Sequence, residues 1–445
     1  MRSLALLSIF LLAFSSVVYA QERDTLRISA AIEQGLENNY SIRLIRNDQD
    51  IAENNNTLGN AGLLPVLELV GSFNESTQNT ITRFTSSSIP DIDNSGVVTT
   101  RLSYGVNASW TVFDGLTQYA TLDRLSVNED ISENEARLQI ELTLANIIST
   151  YYQIAGTQKA YAVLQNSVEI SRERIRIAET RKDIGSGSEY DLLQARADYN
   201  ADLAALTRAQ TTLKRAKLSL KEILSDSSDQ EYEVSRDIIL REPLSLNSLL
   251  EDARQQNKDL NISRLNRSRA KAELNELKGD WFPELILNGG YTFNRTEASI
   301  GFTDFSETSG FNYGVTARLS LFEGFNRSRE IQNARIELKN EELRTEQFLL
   351  QLDNQIRQIY IQYSDALSLI ELEEENLQYA EQSLEIALER FRLGTINSVE
   401  LREVQQTFLD AENRLIAAQI EAKTAEIELL RLSGRLLNRE ADSVE

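Results

Sequence analysis

The chain has 445 residues and a formal charge of −22, and it contains no cysteine and no histidine. Those absences exclude disulfides, a lipid-anchored N-terminal cysteine, the usual zinc, copper and haem ligands, and any nucleophile or general base built on thiolate or imidazole. The acidic balance argues against nucleic acid and against anionic lipid surfaces as partners.

Residues 1–20, MRSLALLSIFLLAFSSVVYA, place Arg2 ahead of an apolar core and end on Val18-Tyr19-Ala20. That pattern is a secretory signal with a small-residue cleavage site, so the exported chain is expected to begin at Gln21. As a membrane anchor it would have weak flanks and no stop-transfer pattern, and no later segment approaches the ~20 apolar residues of a membrane helix. A helix is expected next, followed by two segments of period-two alternation at about 66–76 and 101–113. In the second of these, Leu102, Tyr104, Val106, Ala108, Trp110 and Val112 alternate with Ser103, Gly105, Asn107, Ser109 and Thr111. Each segment has about the 9–11 residues that a tilted strand needs to cross a bilayer, with one face suited to lipid and the other to water. A soluble sheet with one buried face gives the same alternation. The polar stretch 77–100 between them reads as a long loop.

From Leu116 to Ile184 the chain runs without proline. As one helix this run would span ~100 Å, which suits a rod or a tube and no globular domain. Tyr161, Val168 and Ile175 recur every seven residues, the spacing of a coiled-coil seam. The chain then reverses at a tip near 185–191, within RKDIGSGSEYDL, and returns along a helix carrying Leu192, Tyr199, Leu206, Leu213 and Leu220. Residues 226–243 form a mixed linker at mid-height, an equatorial position on the rod.

The second half repeats the first. LRISAAIEQGLENN from Leu26 aligns with LSLNSLLEDARQQN from Leu244 at an offset of 218, and YGVNASWTVFDG from Tyr104 aligns with YGVTARLSLFEG from Tyr313 at 209. The offsets differ by nine residues, so a single length change falls in the polar loop between about 75 and 101. If 21–225 is one repeat, 244–433 is the other, an internal tandem duplication. The second repeat should then hold a helix from Leu246 to Lys278, strands at about 284–294 and 311–322, and a loop at 295–310. A long outbound helix follows, with Ile370, Leu377, Leu384 and Phe391 seven apart, then a tip near 394–400 in RFRLGTINSVEL. The return helix carries Leu401, Phe408, Leu415, Ala422 and Leu429, and an acidic tail, 434–445, ends the chain. Four strands cannot close a barrel, and open edges are not tolerated in lipid, so a membrane sheet of this kind needs several chains.

Gly185 and Gly394 fall where a left-handed helix C-cap favours glycine. Ser188-x-x-Asp191 and Asn397-x-x-Glu400 resemble capping boxes, so both acids have a sufficient role in starting helices.

Taken together, the signal peptide, the tandem repeat, a proline entering the first strand of each half, Phe-Asp/Glu-Gly leaving the second, and the paired glycine tips resemble the TolC-like outer membrane efflux protein (outer membrane factor) family. The resemblance covers the whole mature chain. It implies an α+β membrane protein and a homotrimer, with four strands per chain completing a 12-stranded outer-membrane barrel above a coiled-coil periplasmic tunnel. It further implies an exit duct of a tripartite efflux or type I secretion system, working with a periplasmic adaptor and an inner-membrane pump, without cofactor or metal. Carried over residue by residue, Asp191, Glu400 and Glu403 are gate or pore carboxylates, and Tyr190, Arg390, Phe391 and Arg402 are their neighbours. Gly185, Ser186, Ser188, Gly394, Thr395, Asn397 and Ser398 form the adaptor-contact surface of the tips. Phe391 and Ile396 stand where well-described gates have tyrosine and arginine, so a tyrosine–arginine network is not available here. Packing, Arg390 or Arg402 are the remaining means of closure. The competing readings are a non-conducting outer-membrane tether or stalk, and a periplasmic enzyme using paired carboxylates. The rod-like lengths speak against the enzyme.

Overall fold

The computed structural model describes residues 25–437, apart from 87, 230, 241–242 and 301–302. The expected signal peptide and residues 438–445 of the expected tail lie outside the described residues. β1 (Thr25–Leu26) leads into α1 (Ile28–Asn38) and α2 (Tyr40–Asn55). β2 (Val66–Thr82) and β3 (Ile92–Phe113) form a hairpin, followed by α3 (Thr117–Asp183) and α4 (Glu189–Ile223). The second half runs β4 (Glu233–Val234), α5 (Leu246–Gln256), α6 (Lys258–Gly279), β5 (Glu284–Ala298), β6 (Phe305–Arg318), α7 (Asn326–Leu393) and α8 (Ser398–Leu432).

α3 has 67 residues and α7 has 68, so each spans ~100 Å. Shorter helices line them end to end: α2 and α6 at one end of α3, α4 and α8 along the rest. None of the described helices is long and apolar enough to cross a membrane. At mid-height α1 and α5 pack into a core with Ile147, Tyr151, Leu220, Leu249, Ile356 and Leu429. Matching bonds recur in the two halves there. Tyr151 donates to the Leu26 carbonyl at 2.9 Å, and Tyr360 donates to the Leu244 carbonyl at 3.2 Å.

The helix expected from Leu246 to Lys278 is in fact two, α5 and α6, and α1 and α2 are divided in the same way. Asn39 and Asn257 stand at the breaks with ψ of 125°. Asn39 Oδ1 accepts from the Ser41 and Ile42 amides, and Asn257 Oδ1 accepts from the Leu260 amide, so each caps the following helix. Each Nδ2 then donates to the carbonyl at a distant helix end, Ile223 at 2.7 Å and Leu432 at 3.0 Å. Apolar periodicity continues across such a break, which is why the sequence pattern runs the two helices together.

The four long strands form one antiparallel sheet in the order β2-β3-β5-β6. They exceed the expected limits. β2 continues to Thr82 and β3 begins at Ile92, so most of the expected loop 77–100 is paired strand. β5 runs to Ala298 and β6 starts at Phe305, which shortens the second loop likewise. Alternation reveals only the part of a strand with an apolar face, whereas the ladder is a backbone property and continues through Thr, Ser and Asn. β6 stops at Arg318 instead of 322 because its partner there, Glu284, is the first residue of β5. Among the described residues β2 and β6 each pair on one side only. Leu67, Leu69 and Phe73 of β2 and Phe311, Tyr313 and Val315 of β6 are exposed.

Candidate functional site at the hairpin tips

Both helical hairpins turn in the same manner and end side by side. Gly185 and Gly394 adopt φ of +77° and +81°, the left-handed region that glycine enters without strain. The amides of Ser186 and Thr395 then close onto the carbonyls of Arg181 and Arg390, each at 2.9 Å. Ser188 Oγ accepts from the Asp191 amide at 3.1 Å and donates to Asp191 Oδ2 at 2.7 Å. Asn397 Oδ1 accepts from the Val399 and Glu400 amides, both at 2.9 Å, while its Nδ2 donates to Glu400 Oε1 at 2.8 Å. Asp191 and Glu400 are therefore engaged in capping α4 and α8.

A cleft of about 380 Å³ lies between the tips. It brings together Ser186, Asp191, Phe391, Gly394, Thr395, Asn397, Ser398 and Glu400 of the expected site residues. Gly185, Ser188, Tyr190, Arg390, Arg402 and Glu403 lie outside its lining. Tyr190 is 67 % exposed, and Arg390 and Glu403 are also exposed. Ser398, expected on the contact surface, is buried. Phe391 and Ile396 are buried with Leu384, Leu401 and Phe408. Arg181 caps this cluster, its guanidinium carbon 4.7 Å from the Phe391 ring centroid and its Nη2 donating to the Phe391 carbonyl.

Above the cleft, a buried polar seam ties the hairpins together. Arg402 of α8 makes a two-pronged ion pair with Asp202 of α4, both contacts 2.8 Å. That hydrogen bonding raises the Arg402 pKa further. Asp202 also accepts from Ser171 Oγ at 2.5 Å. One turn nearer the tip, Arg174 Nη2 donates to Asp198 Oδ2 at 2.9 Å and to Ser398 Oγ at 2.8 Å. Burial lowers the Arg174 pKa, and its Nε and Nη1 have no hydrogen-bond partner among the described residues. Gln405 of α8, fully buried, donates to Ser167 Oγ at 2.8 Å. Buried ion pairs of this kind add little net stability, but losing one partner strands the other in a dry site. Among the described residues no group of three or more acids is placed to hold a metal ion.

This arrangement belongs to a chain whose sequence matches the outer membrane efflux protein family model over residues 31–225 and again over 249–435. The chain belongs to the outer membrane efflux protein family. Within that family it is 20 % identical to outer membrane protein TolC of Vibrio cholerae, over 97 % of this chain and 94 % of that one. It is 24 % identical to protein CyaE of Bordetella pertussis, over 74 % of this chain and 70 % of that one. Its fold is shared with the Campylobacter jejuni CmeC outer membrane channel, with a TM-score of 0.76, 17 % identity and coverage of 94 % and 88 %.

For this efflux-family chain, sequence reasoning reached the tips but missed Arg174, Arg181, Asp198, Asp202 and Gln405. A signal was present. Ser167, Ser171, Arg174 and Ala178 are spaced four, three and four apart, as are Ser398, Leu401, Gln405 and Phe408 at three, four and three. Those are seam spacings occupied by polar residues. The seven-step through Val168 and Ile175 followed one row of the seam and passed over its neighbour.

Proposed function

We propose that three copies of the chain associate around one axis to form a passive exit duct in the outer membrane. In this reading the sheets join edge to edge, β6 of one copy to β2 of the next, as a 12-stranded barrel with the helices below as a periplasmic tunnel. The observation that carries it is the sheet itself: four antiparallel strands, exposed aliphatic and aromatic side chains, and two unpaired edges that lipid does not tolerate.

The helices support the same closure. α2 packs on α3, α3 on α6 and α6 on α7, so α2 and α7 lie at the two flanks of the wall. Leu44, Ile51 and Leu58 on one flank, and Ile336, Leu343 and Leu350 on the other, are seven apart and all at least half exposed. Within the chain the aligned pair, α6 and α3, already packs together, with Arg124 Nε donating to Glu276 Oε1 at 2.8 Å. The α3–α6 contact is thus a template for α7 of one copy against α2 of the next. The matched bonds of Asn39 and Asn257, and of Tyr151 and Tyr360, support the tandem duplication behind this symmetry.

The tips would be the tunnel's periplasmic end. There Gly185, Ser186, Ser188, Gly394, Thr395 and Asn397 would meet a periplasmic adaptor coupled to an inner-membrane pump, and the Arg402–Asp202 seam with the Phe391–Ile396 packing would hold the end shut. Export with signal cleavage before Gln21 completes this reading. Single-channel recording of the purified chain in a planar bilayer tests it. Discrete conductance steps are expected, larger for Asp202→Ala than for the native chain. A chain that inserts as a trimer and passes no current would establish the tether instead.

A further inference from the structure

α6 carries a charge that its fold does not require. Its 22 residues hold Lys258, Arg264, Arg267, Arg269, Lys271 and Lys278 against Asp259, Glu273 and Glu276, a net of +3 in a chain of −22. The aligned helix α2 packs on α3 as α6 packs on α7. Where α6 has Arg264, Arg267, Lys271 and Lys278, the aligned positions 218 residues earlier are Arg46, Gln49, Glu53 and Asn60. The same packing is therefore made with and without the basic stripe.

Those four cations are exposed and share one helix face. They open on a groove of about 780 Å³ between α6 and α7. Two carboxylates, Glu342 and Glu346, line it against the four cations, so they do not neutralise it. Glu342 is already shared by Arg267 and Lys339, each at 3.1 Å. Arg264 is turned to Asn261 Oδ1 and the Arg254 carbonyl. Among the described residues Lys271 makes no ion pair, and Lys278 bonds only to Asn275 Oδ1 at 3.2 Å. The groove begins at the lower rim of the sheet, because Trp281 and Phe282, both 56 % exposed, separate Lys278 from β5. Its lining shares no residue with the flank rows Leu44, Ile51, Leu58 and Ile336, Leu343, Leu350.

We propose that this groove binds a phosphate-bearing anion through Lys271 and Lys278. Net charge argues against anionic partners only for the chain as a whole. Fields between exposed charges fade over a Debye length of roughly 8–10 Å, so a local stripe acts on its own. Two sources carry this chemistry: the headgroup of an anionic phospholipid beside the rim, or a soluble phosphate. The first rests on the membrane-spanning sheet proposed above, and the second does not.

The full chain, purified in a non-ionic detergent, separates these cases by native mass spectrometry with dioleoylphosphatidylglycerol or dioleoylphosphatidylcholine, and by thermal melting in sodium phosphate against sodium chloride of equal ionic strength. Arg43→Gln/Arg46→Gln on α2 serves as the charge-matched control. Lys271→Gln/Lys278→Gln is expected to weaken phosphatidylglycerol retention roughly tenfold, while the control keeps it. Stabilisation by inorganic phosphate that only the α6 variant loses, without lipid retention, assigns the groove to a soluble phosphate. Equal behaviour of the two variants with both probes overturns the proposal. The same spectra report the number of chains per particle, so a failure of trimer assembly is read separately from a failure of binding.

Discussion

At the scale of single residues, the chain places charge where water cannot reach it, and each such group has a measurable consequence. Asp202 is 4 % exposed and holds Arg402 and Ser171. Asp202→Ala should cost about 3–5 kcal/mol, because it strands a guanidinium against α4. Adding Arg402→Leu should recover much of that loss in thermal melting, and additive losses would mean that the pair is not coupled. Glu141 is a different case. It is 2 % exposed, its Oε1 has no hydrogen-bond partner among the described residues, and burial pushes its pKa up to about 7, with Lys258 and Arg431 opposing the shift and Asp259 adding to it. The folded state therefore holds this proton more tightly than the unfolded chain does. The stability linked to it is complete below about pH 4.5 and is lost as pH rises through 7. Glu141→Gln, neutral at every pH, should match the native chain at pH 4.5 and exceed it by about 3 kcal/mol at pH 8. A constant difference between the two across that range would remove Glu141 as the titrating group.

At the scale of elements, the tips cap helices, and a variant can separate that from the proposed gate role. Glu400 accepts from Asn397 Nδ2, and glutamine keeps an acceptor oxygen at that place. Glu400→Gln/Glu403→Gln should therefore leave α8 capped while reducing cation preference in a bilayer recording, since threefold repetition would make these acids a charged ring. Unchanged selectivity with unchanged melting would leave Glu400 a helix cap and nothing more. The elements differ in how far they could be read from sequence, and the reason is physical. Strands that face two media announce themselves by alternation, and ~100 Å helices by the absence of proline over a seven-residue period. The breaks at Asn39 and Asn257 leave that period intact, and the polar extensions of β2 and β3 pair through backbone alone, so neither is visible in hydrophobic pattern. The tip glycines were legible because φ near +80° selects glycine. Arg174 stood at a readable seam spacing, but its partners and those of Asp202 were not legible, because the pairings join α3, α4 and α8 across as many as 224 residues.

At the scale of the molecule, one chain would be a third of the proposed wall. Among the described residues its sheet has two open edges, and its flanking helices expose aliphatic rows, while the aligned pair α3 and α6 is packed inside the chain. Leu343→Glu on α7 should leave the chain folded, with native helix content, yet shift it from trimer to monomer in sedimentation. A trimer that tolerates the charge would place the contact elsewhere. The central claim, that three such walls close into a hollow duct, is tested most directly by electron microscopy of the detergent-purified chain. The expected particle is a threefold hollow cylinder with a barrel at one end and a helical stem of ~100 Å below it. A solid rod, or a wall that does not close, would contradict it.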